Sequence, residues 1–192
     1  MVNGVYSNSV IMSTLTDFLD LLEPEYEEVT VWGGGKFPLR VVSYFCAEVP
    51  PLEFVMSVRG VVVSDSHALV LRNCDETHIV PGGRREKGET LEETLRREIL
   101  EETGWATANY QMLGISDFHH LAPKPNAFPY LYPDFLYILY AARPTEYLPD
   151  TRLKDDYELE CRFVPLEEVK TLKLQQPSQL LFLQAALAKN KK

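Results

Sequence analysis

The segment that most constrains this chain runs from Gly82 to Trp105, where a glycine pair leads into an acidic stretch. Good helix formers fill Glu89 to Thr103, and Gly104 supplies a C-terminal stop, so we predict a helix over these residues. Two interior pairs at four-residue spacing support that helix: Glu92 with Arg96, and Glu93 with Arg97.

Three carboxylates of this helix crowd into one sector. At 100° per residue, Glu98, Glu101 and Glu102 fall within about 100° of one another, and Leu91 and Leu95 lie in the same sector. The carboxylates therefore face the protein rather than the centre of the solvated side. An ordinary acidic surface helix is the alternative, and the placement argues against it. Converging hard oxygen ligands are what Mg2+ or Mn2+ requires, so we expect a divalent cation here.

The spacing of these residues resembles the Nudix box. From Gly83 to Trp105 the sequence reads G-x5-E-x7-R-E-U-x-E-E-x-G-U, where U is apolar, and it matches at every specified position. "VPGG" before the box and "ECRFVPLEEV" after it resemble its usual flanks. The resemblance implies an α/β fold of Nudix type, a sandwich with a mixed β-sheet between helices. It also implies a MutT-like hydrolase that needs divalent metal.

The resemblance assigns roles by position. Glu98, Glu101 and Glu102 would be metal ligands, with Glu102 making the most direct contact. Arg97 would orient a carboxylate in a buried pair, against the alternative of a surface pair with Glu93. Glu89 would bind metal through water, act as a base, or hold the loop. Gly82 and Gly83 would allow close approach of the substrate.

Many Nudix relatives carry another acidic residue downstream. The candidates in "LKDDYELE" are Asp155, Asp156 and Glu158, of which we rank Asp156 and Glu158 ahead. One of them would supply a fourth ligand or the general base, and an ordinary acidic loop is the alternative.

A proline-rich segment, "FHHLAPKPNAFPYLYPD", predicts a long stiff loop that shapes a binding site. Tyr130, Tyr132 or Phe128 would stack on a base or ribose, although bulky aromatics more often cover a core. His119 and His120 would bind phosphate or act as acid or base, or have no role in the site.

The rest of the chain predicts alternating strands and helices. We expect a helix in "STLTDFLDLLEPE" capped by Ser13 or Thr14, and strands at "EEVTVW" and "LRVVSYFCAEV" around a "GGGK" turn. "FVMSVRGVVVSD" and "ALVLRN" predict a strand pair with "SDSH" as its turn. Later strands are expected at "FLYILYAAR" and "ELECRFVPL", and closing helices at "PLEEVKTL" and "SQLLFLQAALAKN". We divide the chain into an extension, residues 1–50, packed on a Nudix hydrolase domain, residues 51–192.

Composition limits the partners. A formal net charge of -9 argues against binding a nucleic-acid polymer, and the apolar runs are too short to span a bilayer. The three cysteines, Cys46, Cys74 and Cys161, have no metal-binding spacing, and unpaired thiols in a reducing cytoplasm are the simplest interpretation. The expected partner is a small nucleoside diphosphate derivative, and a homodimer contact is one role left open for the extension.

Three functions compete. The leading one is a pyrophosphohydrolase acting on a nucleotide sugar, an ADP-ribose-like compound or a nucleoside triphosphate. The second is a catalytically silent, nucleotide-binding regulatory module, which the intact box argues against. The third is an enzyme like isopentenyl-diphosphate isomerase, which would need a catalytic cysteine. None of the three cysteines lies in a recognisable motif for that reaction.

Overall fold

The structure is a computed structural model that describes residues 14–74, 76–153 and 158–189. The four α-helices found there are α1 (Leu15–Leu19), α2 (Leu91–Thr103), α3 (Leu166–Val169) and α4 (Ser178–Lys189). The strands are β1 (Pro24–Trp32), β2 (Phe37–Phe45), β3 (Val55–Val62), β4 (His67–Asn73), β5 (Thr77–His78), β6 (Gly82–Gly83), β7 (Trp105–His120), β8 (Asp134–Tyr147) and β9 (Glu158–Pro165). Within the described ranges every helix is too short or too polar to span a bilayer.

The strands form two sheets. Six strands follow the order β1-β2-β7-β8-β3-β6, and a smaller sheet follows β5-β4-β9. Strands β3 and β8 run parallel while the other neighbours run antiparallel, so the large sheet is mixed. This confirms the mixed sheet expected from the sequence.

Helices cover both faces of the large sheet. Apolar side chains of β3 point alternately to the two faces, and each face is buried by a helix. Val58 and Val62 are fully buried in one cluster with Leu95 and Ile99 of α2. Val61 faces the other way, into a cluster with side chains of α4. The result is the α/β sandwich that the sequence predicted.

One predicted pairing is wrong. Strands β3 and β4 both exist, and Ser64 N–H donates to His67 O at the turn between them. Within the described residues their backbones pair only at the isolated bridge Val63–Ala68, and the two strands then enter different sheets. Because both strands are apolar on both faces, each is buried on two sides, and the sequence pattern does not show which neighbour each strand takes.

Residues before position 50 take part in the large sheet. Strand β2 pairs with β7 over Leu39–His120 to Phe45–Gly114, and β1 pairs with β2 at the sheet edge. Helix α1 begins after Thr14, whose side chain accepts from Asp17 N–H, while Ser13 lies outside the described residues. The division at residue 50 stays a prediction.

Candidate functional site

Burial fixes the rotation of α2. Thr90 and Glu93 form a capping box at its start, and Gly104 ends it in a left-handed conformation with φ 74°. The helix therefore begins two residues after the predicted Glu89. Leu95 and Ile99 are fully buried, and Gly60 of β3 gives them room, since a Cβ there would lie 3.0 Å from Ile99 Cδ1.

The glycine pair of β6 meets the carboxylates of α2 directly. Gly82 N–H donates to Glu102 Oε2 at 2.9 Å. A Cβ on Gly83 would lie 2.3 Å from Glu98 Oε2, so the Glu98 carboxylate occupies the space that a side chain would need. Gly82 adopts φ 141°, and a Cβ on it would lie 2.2 Å from Val58 O. Both positions therefore require glycine for reasons of backbone conformation or space.

Arg97 is the centre of a carboxylate network. Its guanidinium contacts Glu89 at 2.7 Å, Glu98 at 2.8 Å and Glu101 at 3.3 Å, and it also donates to Arg84 O. The surface pair with Glu93 is wrong, because Glu93 is used by the helix cap. Arginine suits this position because its planar guanidinium carries several N–H donors, which point in different directions and can reach several carboxylates at once.

The other predicted helix pair, Glu92 with Arg96, and the position of Glu89 also differ from the sequence prediction. Arg96 lies over the Tyr110 ring at 5.8 Å and makes no ion pair with Glu92 among the described residues. Glu89 lies before the helix, where its carboxylate accepts from Glu86 N–H, from Thr94 Oγ1 and from Arg97. These bonds, led by the one from Arg97, lower the pKa of Glu89 to about 2. Such a carboxylate is a poor proton acceptor near neutral pH, so the geometry favours the loop-holding role for Glu89 over the role of base.

The expected convergence of Glu98, Glu101 and Glu102 is not complete. Within the described residues no three His, Cys, Asp or Glu side chains are grouped closely enough to hold a metal ion. The reason is local: Arg97 draws Glu98 and Glu101 toward itself, while Glu102 turns to Gly82 N–H.

The donor set nevertheless suits a hard cation. One guanidinium is shared by Glu89, Glu98 and Glu101, which leaves the charge of two carboxylates without a counterpart in that network. The groups that surround it are oxygen donors, the ligands that Mg2+ and Mn2+ prefer.

A pocket of about 810 Å³ opens beside this network. Its acidic end is formed by Gly83, Glu86 and Glu98, with Arg84 and Arg85 next to them. The remaining lining comes from three parts of the fold: Trp32, Gly33 and Phe37 of the first hairpin, Met56, Ser57, Arg59, Phe135 and Tyr137 of the sheet, and His120, Phe128, Tyr130 and Leu131 around the proline-rich loop. The pocket therefore joins an end lined by carboxylates and arginines to a largely aromatic chamber.

The proline-rich loop divides its aromatic residues between two positions. Tyr130 and Phe128 line the pocket, and the Arg84 guanidinium lies 5.0 Å from the centre of the Tyr130 ring. Tyr132 is not among the described lining residues, and its hydroxyl donates to Ala122 O inside the loop. Its ring stacks on His120 at 5.1 Å. Tyr130 can thus touch a ligand directly, whereas Tyr132 supports the wall.

The two histidines also separate. His120 is buried in the pocket wall, and burial lowers its pKa. His119 points to the other face of the sheet, where Nδ1 lies 2.6 Å from Asp134 Oδ1. His120 is therefore the histidine of the pair that lines the pocket.

The downstream acids are not placed by the structure. Asp155 and Asp156 lie outside the described residues, and Glu158 begins β9 with its side chain undescribed. Their assignment as ligand or base stays a prediction.

Two lining residues have a sequence signal that spacing rules do not use. Arg59 is a single charge inside the apolar run "VMSVRGVVV", and Trp32 stands directly before the "GGGK" turn. A lone arginine in a buried strand needs a partner or a ligand, so its position in such a run indicates a functional or structural contact. The sequence does not reveal that both residues reach the same pocket.

Comparison with known proteins agrees with this geometry. The family model described as NUDIX domain matches residues 55–185, more than half of the chain. The chain therefore belongs to the Nudix family. A comparison of the sequence with curated proteins found no match.

Solved structures show the same fold at low sequence identity. A NUDIX hydrolase from Nitrosomonas europaea has 20% identity and a TM-score of 0.54, with 69% of this chain and 88% of that chain covered. A mutant pyrophosphohydrolase from Bacillus subtilis has 17% identity and a TM-score of 0.56, with 86% and 96% covered. The NUDIX domain of NrtR from Shewanella oneidensis, crystallised with ADP-ribose, has 16% identity and a TM-score of 0.51, with 75% and 95% covered.

Proposed function

We propose that this chain is a pyrophosphohydrolase that cleaves the diphosphate of a nucleoside diphosphate linked to another group. The observation that carries the proposal is the contact between Gly83 and Glu98 at the acidic end of the pocket, beside Arg84 and Arg85. This contact supports the proposal because a metal-bound diphosphate would need carboxylate oxygens and arginine side chains close together. The substrate classes are those expected from the sequence: a nucleotide sugar, an ADP-ribose-like compound or a nucleoside triphosphate.

Glu98, Glu101 and Glu102 would hold Mg2+ or Mn2+. A divalent ion supplies charge neutralisation on the phosphate oxygens and lowers the pKa of a bound water. Arg97 then acts as a positioning residue, since it already holds Glu98 and Glu101. The Glu102 carboxylate is held by a different group, since its Oε2 accepts a hydrogen bond from Gly82 N–H.

The remaining lining residues would bind the substrate. Arg84 and Arg85 stand next to Gly83, where a diphosphate would lie, and arginine donors fit phosphate oxygens well. Tyr130, Phe128 and Trp32 offer ring faces for a base or ribose. Asp156 or Glu158 remains the proposed general base.

The cysteines argue against the isomerase alternative. Cys46, Cys74 and Cys161 are all described, and none of them is among the described residues that line the pocket. Burial also raises the pKa of the Cys46 thiol to about 11, so a thiolate there is disfavoured.

A hydrolysis screen tests the proposal. The panel contains ADP-ribose, nucleotide sugars, dinucleotides, NADH, coenzyme A and nucleoside triphosphates, each with Mg2+ and with Mn2+. The control variant is Glu102→Gln, whose side-chain oxygen can still accept from Gly82 N–H. We expect metal-dependent turnover of at least one compound and its loss in the variant. No turnover by folded protein on any compound would favour the silent binding module.

A further inference from the structure

A second cavity of about 360 Å³ adjoins the main pocket and shares Trp32, Gly33, Arg59 and Tyr137 with it. Its described lining includes residues of strands β3, β7 and β8 and of the start of α4, and does not include Gly83, Glu86 or Glu98 of the acidic end. The residues that line only this cavity include Gln176 and Gln179.

Four buried N–H groups around this cavity have no hydrogen-bond partner among the described residues. They belong to Trp32 Nε1, Arg59 Nε, Gln176 Nε2 and Gln179 Nε2. Gln176 and Gln179 are 7% and 2% exposed. A buried donor without a partner destabilises the folded chain, so four such donors around one cavity indicate a missing acceptor.

The orientation of the Gln179 amide is fixed by its neighbour. Ile79 N–H donates to Gln179 Oε1 at 3.0 Å, so the oxygen is used and the buried amide nitrogen is the atom without a partner among the described residues. The donor character of this wall is therefore set by the backbone of residue 79.

Arg59 adds a positive charge. Within the described residues its Nη1 donates to Val80 O at 3.0 Å, and the guanidinium lies 4.8 Å from the centre of the Tyr137 ring; neither contact neutralises the charge. Glu76 is the carboxylate among the described lining residues, and it has interactions of its own. The two serine hydroxyls of the cavity wall already have hydrogen-bond partners, since Ser178 donates to Glu28 and Ser116 forms a hydrogen bond with Ser43.

We propose that this cavity, the donor cavity, binds an oxyanion group of the substrate, a carboxylate or a phosphate, remote from the diphosphate that is cleaved. Carboxylate and phosphate oxygens accept hydrogen bonds, and their negative charge would balance the positive charge of the Arg59 guanidinium. The inference rests on the proposed function only for the position of the diphosphate at the acidic end of the pocket. It narrows the substrate class to nucleotide derivatives with an additional anionic group.

Matched ligand pairs test the donor cavity by calorimetry in EDTA, where metal-dependent hydrolysis does not occur. UDP-glucuronic acid differs from UDP-glucose by a carboxylate, and NADPH differs from NADH by a phosphate. We expect the anionic member of at least one pair to bind about tenfold more tightly, and that pair identifies the group. A general charge effect would act in the opposite direction, because the chain carries a net charge of -9.

Two variants and one control locate the effect. Gln179→Glu keeps the acceptor for Ile79 N–H and replaces the donor with a charge, so the preference should fall to about one. Gln176→Leu removes a donor without adding charge and should reduce the preference by about threefold. Gln184→Glu makes the same change on an exposed part of α4 and should leave the preference intact. Thermal unfolding of each variant shows that it is folded.

The outcomes separate the two proposals. Equal or weaker binding of the anionic member in both pairs, or no binding of any of the four ligands, overturns the donor cavity. A preference that survives Gln179→Glu also overturns it. A tenfold preference without hydrolysis of any compound in the screen would retain the donor cavity and reject the hydrolase. Hydrolysis of a compound in the screen, with no preference for the anionic member of either pair, would retain the hydrolase and reject the donor cavity.

Discussion

At the scale of single residues, the site depends on contacts that leave no room for a side chain. Gly83 is the clearest case, since the Glu98 carboxylate lies where its Cβ would be. Its φ is not in the left-handed region, so the requirement is one of space, not of backbone conformation.

Gly83→Ala should therefore damage activity more than stability. The obstructing atoms are the far end of a flexible side chain, so Glu98 can rotate away and the fold can persist. We expect kcat to fall on the order of a hundredfold while the melting temperature changes by about 3 °C or less. Gly88→Ala is the control, because a Cβ there meets nothing within 4 Å although φ is 94°. A larger loss of kcat in Gly88→Ala than in Gly83→Ala would contradict the assignment.

Glu89 should make the free energy of unfolding depend on pH in the acid range. Its pKa is about 2 in the folded chain and near the ordinary value of 4.5 in the unfolded chain. The unfolded chain therefore takes up a proton first, and the stabilisation is present above pH 4.5 and is lost as pH falls toward 2. The free energy of unfolding of the wild type should exceed that of Glu89→Gln by a constant amount from pH 6 to 8. That excess should shrink as urea unfolding is repeated from pH 4.5 to 3, and an excess that grows there would show that the sign is wrong.

At the scale of elements, helix α2 was the part most completely predictable. Local signals fix it: a cap at Thr90, apolar residues at Leu95 and Ile99, and a stop at Gly104. The partners of β3 and β4 were not predictable, because strand pairing depends on residues distant in the sequence. For the same reason the sequence did not show that Trp32 and Arg59 line one pocket with Glu98.

Strand β7 carries a buried carboxyl group that the sequence analysis missed. Asp117 is 6% exposed, and its Oδ1 has no hydrogen-bond partner among the described residues. Burial raises its pKa to about 6, from an ordinary value of 3.8. The folded chain therefore keeps a proton that the unfolded chain releases, and stability is lost as pH rises from about 4 to about 6.

Asp117→Asn should stabilise the protein above pH 6. The shift in pKa corresponds to at most about 3 kcal/mol of unfolding free energy at pH 8, and the gain should vanish near pH 4. Urea unfolding of wild type and variant at pH 4 and pH 8 measures the difference. An equal difference at the two pH values would exclude a raised pKa as its cause.

At the scale of the whole molecule, the extension and the matched family domain share one sheet. β2 pairs with β7 over seven residues, and Leu39 and Val41 are buried with Phe118. The family match begins only at residue 55, so sequence comparison alone does not show this contribution.

Residues 51–192 alone should therefore fold poorly. Their isolation would expose β7 as an edge strand and uncover the apolar side chains that β2 protects. We expect the truncated chain to lose a cooperative thermal transition, or to aggregate, while the full chain unfolds cooperatively. A truncated chain with the melting temperature of the full chain would show that the division at residue 50 separates an independent domain.

The central claim is that the carboxylates beside Gly82 and Gly83 form a divalent-cation site, and calorimetric titration with Mn2+ tests it most directly. We predict saturable binding by the full chain, weakened about tenfold or more in Glu102→Gln, with Glu167→Gln on exposed helix α3 as the unaffected control. Binding that is absent in the folded wild type, or equal in wild type and Glu102→Gln, would contradict the account.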